Sequence, residues 1–271
     1  MRTLLVVIDG QNDFCEGGAL PVTGANQDME NISKLIRENI LQLDLALTMD
    51  AHYPFNIAHS LAWVDKNGIH PELFTTITSE EVIGNNPKWF ASNGKLIAPG
   101  HGECTFQDVQ SSYMILRDVT NSPLTIWPYH CIIGTEGQTL HPALSGAVVL
   151  WEIANISAAI RHFKGADFFT EQLSAIAPEI PVESNPYTHL NHKFLDHISE
   201  SDKILWAGEA LDYCVKATIN DTINELGEDS AKRMILLEDC TSAISESVAS
   251  EFIDSFVKRG GRISTSDKVT V

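Results

Sequence analysis

The sequence predicts one α/β domain of three layers, α/β/α, built on a mostly parallel, doubly wound sheet. Three observations carry this: short apolar runs recur along the chain, amphipathic stretches separate several of them, and polar residues of reactive types close the runs. Continuous apolar strands alternating with helices mark a parallel sheet covered on both faces, because such strands bury both sides. At 271 residues, 44% hydrophobic and 20% charged, the chain can fill the core of one large domain, taken here as 1–271.

The first strand is expected at Thr3–Ile8, six apolar or β-branched residues ending at Asp9. Asn26–Leu41 has helical spacing, and Leu45–Met49 is the second strand, ending at Asp50 and His52. From Tyr53 to Pro123 the alternation breaks. Gly, Pro and Asn clusters ("GNNPKW", "NGKLIAPGHGE") interrupt short apolar pieces, so 53–123 reads as an insertion or lid on the sheet. The rhythm resumes with strands at Leu124–Trp127 and Ala159–Phe163 and a helix at Thr170–Ile176. A strand at Ile204–Ala207, a helix at Cys214–Leu226, a strand at Met234–Leu237, a helix at Ser245–Lys258 and a strand at Arg262–Thr265 complete the order.

Composition removes several function classes. The net charge is −18, from 36 acidic against 18 basic residues, which argues against nucleic acid or an anionic membrane as partner. The five cysteines are scattered without a CxxC pair, as in a reducing cytosol. The apolar run before Asp9 spans about six residues, too short for a signal or membrane segment, and no run of about twenty apolar residues follows. A soluble, cytoplasmic protein is expected. Neither GxGxxG nor GxxxxGK[ST] occurs, which disfavours a dinucleotide-dependent oxidoreductase.

Ligands of open parallel sheets bind beyond the carboxyl ends of the strands. Residues closing the expected strands therefore converge on one rim: Asp9, Asp50, His52, His130, Lys164 and Cys214. Cys214 lies between a strand and a helix, where the helix's positive pole favours a thiolate, although a free cysteine also fills corners as a small hydrophobe. Asp9 ends an apolar run; a buried carboxylate holds a proton near neutrality and passes it on, while the same residue can equally cap a loop. Lys164, in "RHFKGAD", can pair with Asp9 and a thiolate or simply face water. In "TMDAHYP" the extended spacing points Asp50 and His52 the same way, and with His130 of "WPYHC" they make a donor set for one divalent transition metal, Zn, Mn or Fe. His59 of "NIAHS" reads as a supporting residue rather than a direct ligand.

Five blocks, "VVIDGQNDFCEGGAL", "TMDAHYP", "WPYHCIIGTEGQTLHP", "FKGADFFTEQLSA" and "AGEALDYCVKAT", resemble in content and order the nicotinamidase/isochorismatase-like cysteine hydrolases. The resemblance implies a catalytic aspartate at Asp9, lysine at Lys164 and nucleophile at Cys214. It implies metal ligands at Asp50, His52 and His130, and aromatic walls for a pyridine ring at Phe14 and Trp127. It further implies a cis peptide at Glu209–Ala210 and an oxyanion hole from the amides of Ala210 and Cys214. The activity implied is hydrolysis of nicotinamide or a related carboxamide to the acid and ammonia through a thioester, a step of NAD salvage. The expected partner is a small-molecule amide, with a homo-oligomer left open. Glu209 and Leu211 stand where nicotinamidases more often have a small apolar residue and a threonine, and Ala51 where they often have tryptophan. Two other readings stay open: a family hydrolase of an N-carbamoyl compound, ureide or isochorismate-like ether, and a non-catalytic binding module.

Overall fold

The computed structural model describes residues 2–119 and 123–271. Its strands are β1 (Thr3–Ile8), β2 (Leu43–Asp50), β3 (Trp63–Val64), β4 (Thr76–Ile77), β5 (Phe90–Ala91), β6 (Leu124–Thr125), β7 (Ile160–Lys164), β8 (Lys203–Gly208), β9 (Met234–Leu237) and β10 (Arg262–Ser264). The helices are α1 (Ala25–Glu38), α2 (Glu80–Ile83), α3 (Phe106–Val119), α4 (Pro142–Asn155), α5 (His192–Ser199), α6 (Lys216–Leu226) and α7 (Glu246–Lys258).

Six strands form one sheet in the order β10-β9-β8-β1-β2-β7, every pairing parallel. The chain winds outward from β1 through β2 to β7, then returns to the other side of β1 and winds outward again. This reversal puts the switch point between β1 and β8, where such sheets open a crevice at their carboxyl ends. Alternation along β1 builds the layers. Leu5 and Val7 pack with Met29 and Ile32 of α1 and Leu144 and Trp151 of α4, while Leu4, Val6 and Ile8 pack with Phe194 of α5, Ile219 of α6 and Phe252 of α7. The three-layer α/β/α architecture is thus set by which face each strand residue occupies. No helix among the described residues is long and apolar enough to cross a membrane.

Two expected elements differ. Leu124–Trp127 is not a strand of the main sheet: only Leu124–Thr125 is extended, and it pairs antiparallel with Thr76–Ile77. The edge of β2 is already taken by β7, and Leu124 and Ile126 bury instead in a separate cluster with Trp63 and Trp89. Thr170–Ile176 is not helical. Its polar groups are spent on tertiary partners: Glu171 N–H donates to the Tyr113 hydroxyl at 3.2 Å, Ala175 N–H to Thr218 Oγ1 at 3.0 Å, and Thr170 Oγ1 to the Ile180 carbonyl at 2.6 Å. Satisfying the backbone this way leaves no need for a helix. Within 53–123, residues 120–122 lie outside the described residues; the rest holds the short pair β3–β5, the helices α2 and α3, and β4, which pairs with β6 just beyond it.

Candidate active site

Register fixes what the strand ends deliver. Ile8 pairs with Gly208 and Asp50 with Lys164, so Asp9, Asp50, Lys164 and the turn leading to Cys214 arrive side by side. Asp9 has a φ of 45°, unusual for a residue with a side chain. Thr48 holds it there, accepting the Asp9 N–H at 3.0 Å and donating to Asp9 Oδ1 at 2.7 Å.

Lys164, 1% exposed, is the hub. Its Nζ lies 2.9 Å from Asp9 Oδ2 and donates to Asp50 Oδ1 at 2.9 Å, to the Gln172 carbonyl at 3.3 Å and to Cys214 Sγ at 3.5 Å. Burial opposes its charge, but the carboxylates of Asp50 and Asp9 outweigh it and hold Lys164 well above the ordinary lysine range. Burial likewise works against ionised Asp50, yet Lys164 and the neighbouring imidazoles keep it well below the usual carboxylate range. Asp9 goes the other way: burial raises it, Lys164 opposes, and the Asp50 charge adds to the rise. Burial also pushes the Cys214 thiol well up, against the pull of Lys164. The resting state is therefore a thiol beside a carboxyl of raised proton affinity, not the thiolate the helix pole alone suggests. Cys214 sits inside a wide turn, Leu211–Val215, ahead of α6, and enclosure dominates the helix-end field there.

The expected metal ligands also converge, with donor atoms within 4.8 Å of one another. His52 Nδ1 meets the Gly165 carbonyl at 3.1 Å and His130 Nδ1 meets the Pro128 carbonyl at 2.8 Å. A carbonyl only accepts, so each Nδ1 carries a proton, which leaves Nε2 as the atom of each ring that could ligate an ion. Both Nε2 atoms face Asp50 Oδ2, at 3.3 and 3.6 Å. Two imidazole nitrogens and a carboxylate oxygen converging within 4.8 Å are the donor types that bind a divalent transition ion, so this set fits one. Asp9, Asp50 and Cys214 are equally close, but the Lys164 ammonium serves that group. Gly165 has to be glycine: its φ is +78°, and a Cβ there would lie 2.5 Å from His52 Cε1. His130 reaches the site from a loop rather than a strand end. That loop is zipped to His52, whose N–H donates to the Cys131 carbonyl and whose carbonyl accepts the Ile133 N–H, both at 3.0 Å.

His59 is buried with its ring centroid 5.4 Å from that of His52 and 5.7 Å from that of His130. Its Nδ1 meets the Pro54 carbonyl at 3.2 Å and its Nε2 has no partner among the described residues. Burial, reinforced by the other two imidazoles, lowers it to about 3, so it is neutral.

A pocket of about 40 Å³ opens onto these groups, with Phe14, Trp127, Tyr213, Ile244, Cys214 and Asp50 among the residues that line it. Phe14 stacks edge-on to His130, their centroids 5.5 Å apart. Trp127 meets Tyr213 edge-on at 5.3 Å, and its Nε1 donates to Glu171 Oε1 at 2.6 Å. Arg117 Nη1, from α3, donates to the other oxygen of Glu171 at 2.8 Å. The Glu209–Ala210 peptide is cis, and the Ala210 carbonyl accepts the N–H groups of Tyr213 and Val215 at 3.0 and 3.2 Å. Sequence reasoning did not single out Thr48, Gln11, Glu171 or Tyr213. Gln11 clamps Asp50 by accepting its N–H at 2.7 Å and donating to its carbonyl at 2.8 Å. Glu171 and Tyr213 lay within quoted blocks, but nothing in their local spacing shows that they face a pocket.

A cysteine, a lysine and two carboxylates thus meet at the switch point of a parallel α/β/α sheet. No protein-family model matches the chain. The nicotinamidase of Escherichia coli is 27% identical over 219 residues, covering 81% of this chain and 75% of that protein. The nicotinamidase/pyrazinamidase of Mycobacterium tuberculosis is 26% identical over 219 residues, covering 81% and 77%. Among solved structures, yeast nicotinamidase bound to the inhibitor nicotinaldehyde superposes with a TM-score of 0.65 at 21% identity, covering 97% of this chain and 99% of that one. The zinc complex of Pyrococcus horikoshii pyrazinamidase superposes with a TM-score of 0.55 at 18% identity, covering 98% and 99%. The chain is thus similar in sequence to nicotinamidases over four fifths of its length and shares the fold of solved nicotinamidases and pyrazinamidases.

Proposed function

We propose that the protein hydrolyses nicotinamide, or a closely related flat heteroaromatic carboxamide, to the acid and ammonia, a step of NAD salvage. The observation that carries this reading is the placement of Cys214 Sγ, 3.5 Å from Lys164 Nζ, in the lining of a pocket walled by Phe14 and Trp127 and bordered by the Asp50, His52 and His130 donors. A ring between Phe14 and Trp127 gains about 0.5–1.5 kcal/mol per aromatic contact beyond area burial.

Asp9 takes the thiol proton as the sulfur of Cys214 attacks the carboxamide carbon and a C–S bond forms. The developing oxyanion is received by the N–H groups of Ala210 and Cys214. Collapse breaks the C–N bond, and Asp9 gives its proton to the departing nitrogen, which leaves as ammonia. Asp9 then deprotonates water, which attacks the thioester; the acid leaves and the proton returns to sulfur. Lys164 keeps the charges of Asp50, Asp9 and the transient thiolate paired in their buried site. A divalent ion of the Zn, Mn or Fe type, held by Asp50, His52 and His130, would supply orientation and polarisation of the ring nitrogen.

Ammonia release tests the reading. Metal-loaded protein is expected to release ammonia from nicotinamide faster than from an aliphatic amide, and chelation to suppress it. No ammonia from nicotinamide, with release from a ureide or N-carbamoyl compound, would transfer the same residues to another substrate.

A further inference from the structure

Behind the turn that carries Ala210 and Cys214 lies a second pair of acids, on the opposite face of the sheet from α6. Glu209 is fully buried and Asp28, from α1, is 5% exposed. Glu209 Oε2 accepts the Ser242 N–H at 3.2 Å, and Asp28 Oδ2 accepts the Ser242 hydroxyl at 2.5 Å. Glu209 Oε1 is buried and no donor reaches it. A sealed carboxyl oxygen without a donor, beside a second carboxylate, is accounted for if it carries a proton and donates it across.

We propose that Glu209 is a positioning residue: its protonated carboxyl, donating to Asp28 and accepting from Ser242, locks the 240–245 loop onto the 208–212 turn and so fixes the Ala210 amide and Cys214. The inference rests on the amidase reading for the role of that turn. The rest of the seam agrees with it. Gly208 N–H donates to the Cys240 carbonyl at 2.8 Å, Leu211 N–H to the Ser242 carbonyl at 2.9 Å, and Thr241 Oγ1 to the Gly208 carbonyl at 2.6 Å. Asp212 accepts the N–H groups of Ile244 and Ser245 at 3.0 and 2.8 Å, which also places Ile244 in the pocket wall.

The groups facing the pair are Glu16 and Cys15 from the loop after β1 and Asp239 and Cys240 from the loop after β9, all acids or thiols. Burial, then the Asp28 charge, holds Glu209 well above the usual carboxylate range, and burial raises Asp28 too. A carboxyl with raised affinity in the folded state stabilises the fold below its unfolded value and loses that contribution as pH rises through the folded value. Alkaline pH should therefore loosen the seam by charging both acids.

The test compares wild type, Glu209→Gln and Glu209→Ala in kcat and KM against pH, with melting temperature at each pH. Glutamine reproduces the protonated carboxyl, donating to Asp28 and accepting from Ser242. Glu209→Gln is expected to keep kcat within about twofold at neutral pH and to hold it roughly one pH unit further on the alkaline side. Glu209→Ala is expected to lose about tenfold or more in kcat with little change in KM. The rate of Cys214 alkylation by iodoacetamide, which needs no substrate, should follow the same pattern. That readout separates the two ideas: if nicotinamide is not hydrolysed but alkylation responds as described, the substrate is wrong and the lock stands. A pH profile of Glu209→Gln identical to wild type, or full kcat in folded Glu209→Ala, would overturn it.

Discussion

At Cys214 the deciding quantity is the number of protons in a closed space. Asp50 and Lys164 form an ion pair at 2.9 Å, leaving Asp9 and the thiol to share what remains, with burial raising both. A base able to take the thiol proton and then deliver it to nitrogen is what amide cleavage needs. Asp9→Asn is expected to lower kcat at least about 100-fold, the scale of a general acid–base group, while the melting temperature stays near or above wild type because a buried charge has gone. Steady-state kinetics with parallel thermal melts check this; a loss under threefold would remove Asp9 from proton transfer. The residues proposed to carry chemistry were legible from their place after apolar runs: Asp9, Asp50 and Lys164 at strand ends, and Cys214 in the turn beyond the fifth run. Their supports were not. Thr48 and Gln11 act across strands, and only register shows that they grip Asp9 and Asp50.

Among the elements, strands were easier to read than helices, for a physical reason. Buried parallel strands such as Thr3–Ile8 and Met234–Leu237 are apolar throughout and stand out against any flank. Pro142–Asn155, by contrast, is so apolar that no helical face emerges from its spacing, although its first-turn proline is a start signal. Thr170–Ile176 shows the reverse failure, helical spacing whose backbone is claimed by Tyr113 and Thr218. Gly208 is where element geometry and site meet. Its φ is +104°, and an added Cβ would lie 1.9 Å from the Ile8 carbonyl. Gly208→Ala is therefore expected to cost at least about 2 kcal/mol in urea unfolding and to impair turnover through the adjoining turn. Wild-type stability in that variant would mean that β1 and β8 are not clamped as described.

For the whole molecule, charge and burial act together. The chain carries a net charge of −18, and a few of its acids, Glu179 among them, lie where burial works against ionisation. Its Oε2 is sealed without a donor, and burial followed by the Glu171 charge lifts it from an ordinary 4.5 to about 8. Its contribution to stability is complete below its unfolded value and is lost as pH rises through about 8. Glu179→Gln should flatten the fall in melting temperature between neutral and alkaline pH; an unchanged slope would show that Glu179 is ionised at neutrality. The three-layer sheet was visible in the alternation of runs, but the pocket was not, since its walls come from segments as distant as Phe14, Trp127, Glu171, Tyr213 and Ile244.

The most direct measurement is mass spectrometry of the protein quenched during turnover of nicotinamide, wild type beside Cys214→Ala. The expected result is a nicotinoyl adduct on the peptide containing Cys214 in wild type, and neither adduct nor ammonia from the variant. An adduct on Cys15 or Cys131, or near wild-type ammonia release from Cys214→Ala, would contradict the assignment of Cys214 as the nucleophile.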